Sequence, residues 1–181
     1  YGYNHVETTN TFTYTPSTLK ENPLIALKER ISSYLSSNGF FEIMNNSLTK
    51  SEYADFDFIN KQETISLLNP LSKDLQHMRQ SLLFGGLESI VNNINHSNEN
   101  LRLYEFGTIY NRNLHTTSDH SVVERYLHQT HLALFVTGKQ HSESWQYKAN
   151  DLDFYYLKNT IENVLSKANF DLKRFTCQSE L

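Results

Sequence analysis

Two runs of alternating side chains, Leu101–Tyr110 and His128–Thr137, constrain the fold of this chain more than any other feature. In a strand, successive side chains point to opposite faces, so Leu132, Leu134 and Val136 share one face that an apolar layer must cover. The stretch between the runs, Asn111–Arg125, is polar and reads as a loop. Shorter strands are expected at Phe40–Met44, Thr64–Leu68 and Arg174–Thr176, with a short polar helix at Lys50–Asp57.

Helical periodicity appears in three places. Asn22 offers a cap, and Pro23 suits the first helical position, where its missing N–H has no partner to lose. Leu24, Leu27, Ile31, Tyr34 and Leu35 then recur at helical spacing until Asn38-Gly39 supplies a left-handed stop. A second helix is expected from about Ser81, with Leu83, Leu87, Ile90 and Ile94 forming one buried face against the sheet. A third, capped by Asn150-Asp151, carries Leu157, Ile161, Val164, Leu165 and Ala168. Strands arrive in runs, without regular βαβ alternation, so the expected class is α+β, an antiparallel sheet flanked by helices. Residues 1–21 read as an extended connector or incoming strand, and 22–181 as one core domain, cut short at its C-terminus.

Composition narrows the function classes. The 181 residues suit about one domain, and 38% hydrophobic with 13% aromatic content is globular. No apolar run approaches the roughly 20 residues of a membrane span. Tyr1–His5 has neither the basic nor the apolar region of a signal peptide, and with no initiator Met the chain reads as cut from something longer. The one cysteine, Cys177, cannot form an internal disulfide and fits a reducing compartment. A net charge of −4 argues against a broad electrostatic grip on nucleic acid.

The search for chemistry returns little. His128 and His131 lie at an odd separation in one strand, so they point to opposite faces and cannot share an ion. His115 and His120 sit in a polar loop with Asp119, and no thiolate accompanies them, so they read as solvated rather than as a zinc site. No G-x-S-x-G elbow occurs, and with six glycines neither G-x-G-x-x-G nor a Walker A can be written. Asp55/Asp57 and Asp151/Asp153 read as loop and cap residues, and Trp145 near Tyr147 as packing or loop rather than a base-stacking pair. Met78 and Leu83 read as core, and Arg79 as an anchor for a carboxylate or a helix terminus.

Several segments, in order, resemble one family. They are Tyr1-Gly2-Tyr3-Asn4, Asn38-Gly39-Phe40-Phe41-Glu42, Asn69-Pro70-Leu71-Ser72 followed by Met78-Arg79-Gln80-Ser81-Leu82-Leu83, Leu103-Tyr104-Glu105-Phe106-Gly107, and Asp153-Phe154-Tyr155-Tyr156-Leu157-Lys158. Together they are similar to the synthetase-like core of bacterial phenylalanyl-tRNA synthetase beta subunits, over residues 1 to about 160.

The resemblance implies a degenerate class II aminoacyl-tRNA synthetase fold. It also implies an alpha subunit as partner in a cytoplasmic α₂β₂ heterotetramer that charges tRNA(Phe) with phenylalanine, using ATP and magnesium. Active strands of this kind carry Arg, whose planar guanidinium holds the ATP α-phosphate by two directed bonds. The corresponding run here is Gly107-Thr108-Ile109-Tyr110-Asn111, with Thr108 and Asn111 where the two Arg stand. The run His128-Gln129-Thr130-His131 has His131 where an acid belongs. The resemblance thus implies a fragment with no catalytic, cofactor or metal residue of its own. Its first helix would stand at the subunit interface, with Ile25 and Tyr34 outward, binding the alpha subunit or forming a homodimer when that partner is absent. The rival readings are a standalone class II synthetase paralogue and an RNA-binding module.

Overall fold

The computed structural model describes residues 2, 11–15, 22–72, 74–115, 123–141, 145–146 and 150–170. Helix α1 (Pro23–Ser37) begins as its sequence dictates: the Asn22 side chain accepts a hydrogen bond from the Leu24 N–H at 3.0 Å, with Pro23 in the first turn. It ends at Asn38, and Gly39 takes φ +80°. A short strand β1 (Phe41–Glu42) follows, then β2 (Leu48–Thr49), a 3₁₀ turn at Ser51–Asp55, and β3 (His77–Met78). Helix α2 (Leu83–Asn95) leads into the long strands β4 (Leu101–Arg112) and β5 (Tyr126–Thr137), and α3 (Phe154–Lys167) closes the described chain.

The main sheet has the order β1-β4-β5. Strands β4 and β5 pair antiparallel without interruption from Leu101↔Thr137 to Arg112↔Tyr126, whereas β1 adds parallel to β4 at Phe41↔Leu103 and Glu42↔Tyr104. A separate antiparallel pair, β2 with β3, is joined at His77 by a single bridge from Ser66. The strand expected at Thr64–Leu68 is reduced to that bridge. The expected strand at Arg174–Thr176, Cys177, His120 with Asp119, and Tyr147 lie outside the described residues. Within the 1–21 connector, Thr11–Thr15 is exposed and forms no strand, and the rest apart from Gly2 lies outside the described residues.

The two faces of the sheet carry different loads. On one, Ile31 and Leu35 of α1, Phe40, Tyr104 and Val164 of α3 form a buried cluster, flanked by Phe106, Leu132, Leu134 and Val136. The shared face read from β5 is therefore real and covered by helices. On the other, α2 packs through Gly86, where a Cβ would lie 2.0 Å from the Phe135 ring, while Phe84 is buried on the helix's far side by the rings of Tyr53, Phe56 and Phe58. The buried face expected for α2 is thus the wrong one. Leu83, Leu87 and Ile94 are exposed and only Ile90 is half-buried, because contact with Phe135 needs the side without a side chain. Helix α3 also begins later than expected: Asp153 caps it, accepting from the Tyr156 N–H at 2.8 Å, while Asp151 bridges to Lys139.

Candidate functional site

Strand β4 alternates Leu103, Glu105, Gly107 and Ile109 on the α2 face with Tyr104 and Phe106 on the α1–α3 face. Glu105 is 1% exposed, so its charge needs a partner. Arg79 supplies it: its Nη1 sits 2.6 Å from Glu105 Oε1, and the Arg79 side chain is itself 9% exposed. Short of Tyr110, β1 has ended and the edge of β4 is open. Arg79 takes that edge, donating through Nε to the Thr108 carbonyl (2.9 Å) and accepting from the Tyr110 N–H at its own carbonyl (2.9 Å).

The remaining polar atoms are also matched. Asn45 donates from Nδ2 to Glu105 Oε2 at 2.8 Å, and its Oδ1 accepts from Ser89 Oγ of α2 at 2.9 Å. Arg79 Nη1 also donates to the Asn45 carbonyl at 3.3 Å. No buried side-chain nitrogen or oxygen among the described residues lacks a partner. The guanidinium and Leu82 fill the space over Gly107, where a Cβ would meet Arg79 Nη2 and Leu82 Cδ2 at 2.5 Å each. Arg79 is therefore the carboxylate anchor that its sequence suggested. Asn45 and Ser89 went unnoticed; the available signal was Glu105, the one carboxylate within an alternating strand run.

A second charged group lies at the surface. Glu88 of α2 accepts from Lys50 Nζ at 2.8 Å and from the Tyr53 hydroxyl at 2.6 Å. The Lys50 hydrogen bond, and after it that of Tyr53, lowers the Glu88 carboxyl below its ordinary value, while partial burial works against them. The same hydrogen bond to Glu88 raises Lys50 and, from the hydroxyl, Tyr53. The Tyr53 ring stacks on Phe84 with centroids 4.2 Å apart, and Phe56 and Phe58 lie around the same ring.

The residues singled out in the sequence are dispersed. Asn111 pairs with Leu127 and His131 with Gly107, both on the Glu105 face; Thr108 pairs with Thr130 on the opposite face. His131 is exposed, its Nε2 3.3 Å from Gln129 Oε1. Ile25 is 56% exposed near the start of α1, whereas Tyr34 is half-buried against the core cluster. Trp145 is 96% exposed.

Residues 9–180 match the family model described as the phenylalanyl tRNA synthetase beta chain CLM domain. The chain belongs to the phenylalanyl-tRNA synthetase beta chain family. Relatives named phenylalanine–tRNA ligase beta subunit include one from Bacteroides thetaiotaomicron, 40% identical over 174 residues, and one from Porphyromonas gingivalis, 30% identical over 184 residues. The matches cover 95% and 99% of this chain but only 21% and 22% of those relatives. Among solved structures, a histidyl-tRNA synthetase from Nostoc sp. PCC 7120 aligns with a TM-score of 0.54 at 14% identity, over 86% of this chain and 34% of that one. A pyrrolysyl-tRNA synthetase from Desulfitobacterium hafniense aligns at 0.52 and 15%, over 82% of this chain and 46% of that one. These likenesses show a class II aminoacyl-tRNA synthetase fold. No helix among the described residues is long and apolar enough to cross a membrane.

Proposed function

We propose that this part of the beta chain is a catalytically silent class II synthetase-like domain that supports an alpha subunit in a cytoplasmic heterotetramer charging tRNA(Phe). One observation carries the reading: the β4 face where a phosphate-binding strand needs cations is neutral at Asn111 and sealed at Gly107 by Arg79, whose guanidinium is already bonded to Glu105. The residues from Gly107 to Asn111 do not fit a nucleoside triphosphate. On this reading ATP and magnesium belong to the alpha subunit, and tRNA is held by the whole complex.

The test is phenylalanine-dependent ATP–pyrophosphate exchange by this chain, purified free of alpha subunit. No exchange is expected, with or without added tRNA. Exchange that persists after removal of contaminating alpha subunit establishes the standalone synthetase reading instead. A tRNA affinity of the isolated chain that falls steeply with salt establishes the RNA-binding reading.

A further inference from the structure

The chain has one Asn-Gly doublet, Asn38-Gly39, and it falls where α1 ends. In such a doublet the main-chain nitrogen of the glycine can attack the side-chain amide carbon of the asparagine, because no Cβ obstructs the approach. The Gly39 nitrogen loses its proton, a C–N bond forms to Asn38 Cγ, and Asn38 Nδ2 leaves as ammonia. The five-membered imide then takes up one water. It opens at one carbonyl to aspartate, or at the other to isoaspartate, in which the main chain runs through the side-chain carbon. Water is the only co-reactant.

The fold obstructs each part of that reaction. Asn38 Nδ2, the leaving group, donates to the Tyr34 carbonyl at 2.8 Å. The Gly39 N–H, which must give up its proton, donates to the Ser36 carbonyl at 3.0 Å. The N–H groups on either side, those of Asn38 and Phe40, both donate to the Leu35 carbonyl at 3.0 Å. Ring closure needs the Gly39 nitrogen swung round to the Cβ side of Asn38, a rotation about ψ. At ψ 13° it stands away from that side, and turning it breaks the bond to Ser36. Both ends of the turn are anchored, since Leu35 and Phe40 are 0% and 3% exposed within the core cluster. Asn38 itself lies at the surface, so water reaches it.

We infer that Asn38 is a latent deamidation site, held shut by the closing turn of α1 and opened only when that turn unwinds. Conversion then prevents closure. A carboxylate has no N–H to return to the Tyr34 carbonyl, and it stands at the negative end of the helix. Isoaspartate also lengthens the main chain between Leu35 and Phe40, the two anchors of the turn.

Peptide mapping that separates asparagine, aspartate and isoaspartate tests it on the 181-residue chain, held at mildly alkaline pH either folded in buffer or unfolded in guanidinium chloride. In the unfolded chain Asn38 is expected to convert ahead of every other asparagine, and Gly39→Ala to remove that lead. Unfolding also relieves the strain that alanine meets at φ +80°, so this comparison reads the chemistry alone. In the folded chain, conversion of Asn38 is expected to be about tenfold slower or more. Hydrogen exchange at the Gly39 amide supplies a second readout: guanidinium chloride below the unfolding transition should speed exchange and conversion by the same factor. A smaller difference between folded and unfolded rates, a lead that survives Gly39→Ala, or a conversion that does not follow Gly39 exchange overturns the inference.

Discussion

At the scale of single residues, the molecule depends on Arg79. Its guanidinium neutralises Glu105 and occupies backbone acceptors from two segments, so its removal strands a buried carboxylate. Arg79→Met is expected to destabilise the chain by about 3–5 kcal/mol in urea unfolding, and pairing it with Glu105→Leu to recover most of that loss. A surface group sets a pH response of opposite visibility. The folded-state carboxyl of Glu88 lies below its unfolded value, so its stabilisation is complete above the unfolded pKa and disappears as pH falls through the folded one. Glu88→Gln is expected to flatten the acid limb of stability measured below about pH 4.5 and to leave the neutral region with a small constant loss; an acid limb identical to wild type refutes the assignment.

Among the elements, periodicity located more than it oriented. Helix α1 was legible down to its Asn22 cap, and β4 and β5 were legible because each residue's face follows from parity alone. Helix α2 shows where reading by hydrophobicity stops. Leu83, Leu87 and Ile94 make its most apolar stripe, yet the sheet takes the side of Gly86, because the Phe135 ring needs a missing side chain more than an added one. Shape decides there, and sequence patterns do not carry shape. The consequence is measurable in two neighbouring positions. Gly86→Ala should cost about 1–3 kcal/mol or more by overpacking, whereas Leu87→Ala, nearly half exposed, should cost less than about 1 kcal/mol. The reverse order would restore the orientation that hydrophobicity alone suggests. The β4 network was half legible for a related reason: Arg79 and Glu105 announce themselves as charges, but their meeting depends on β1 ending early and leaving an edge of β4 open.

Across the whole molecule, the sheet separates two outward surfaces, with α1 and α3 on one side and α2 on the other. On the proposed reading, Ile25→Asp weakens capture of the alpha subunit in a pull-down, while stability in urea changes by no more than about 0.5 kcal/mol because the position is exposed. Tyr34 is a poorer probe, since part of its ring belongs to the domain's own core. The sealed face over Gly107 also ties three positions together. Any side chain at 107 collides with Arg79 and Leu82, and vacating Arg79 first leaves Glu105 charged and alone. The three positions are therefore coupled, and a change at one calls for changes at the others. In a library randomised at 79, 105 and 107 together, folded survivors with a side chain at 107 should carry compensating changes at the other two positions.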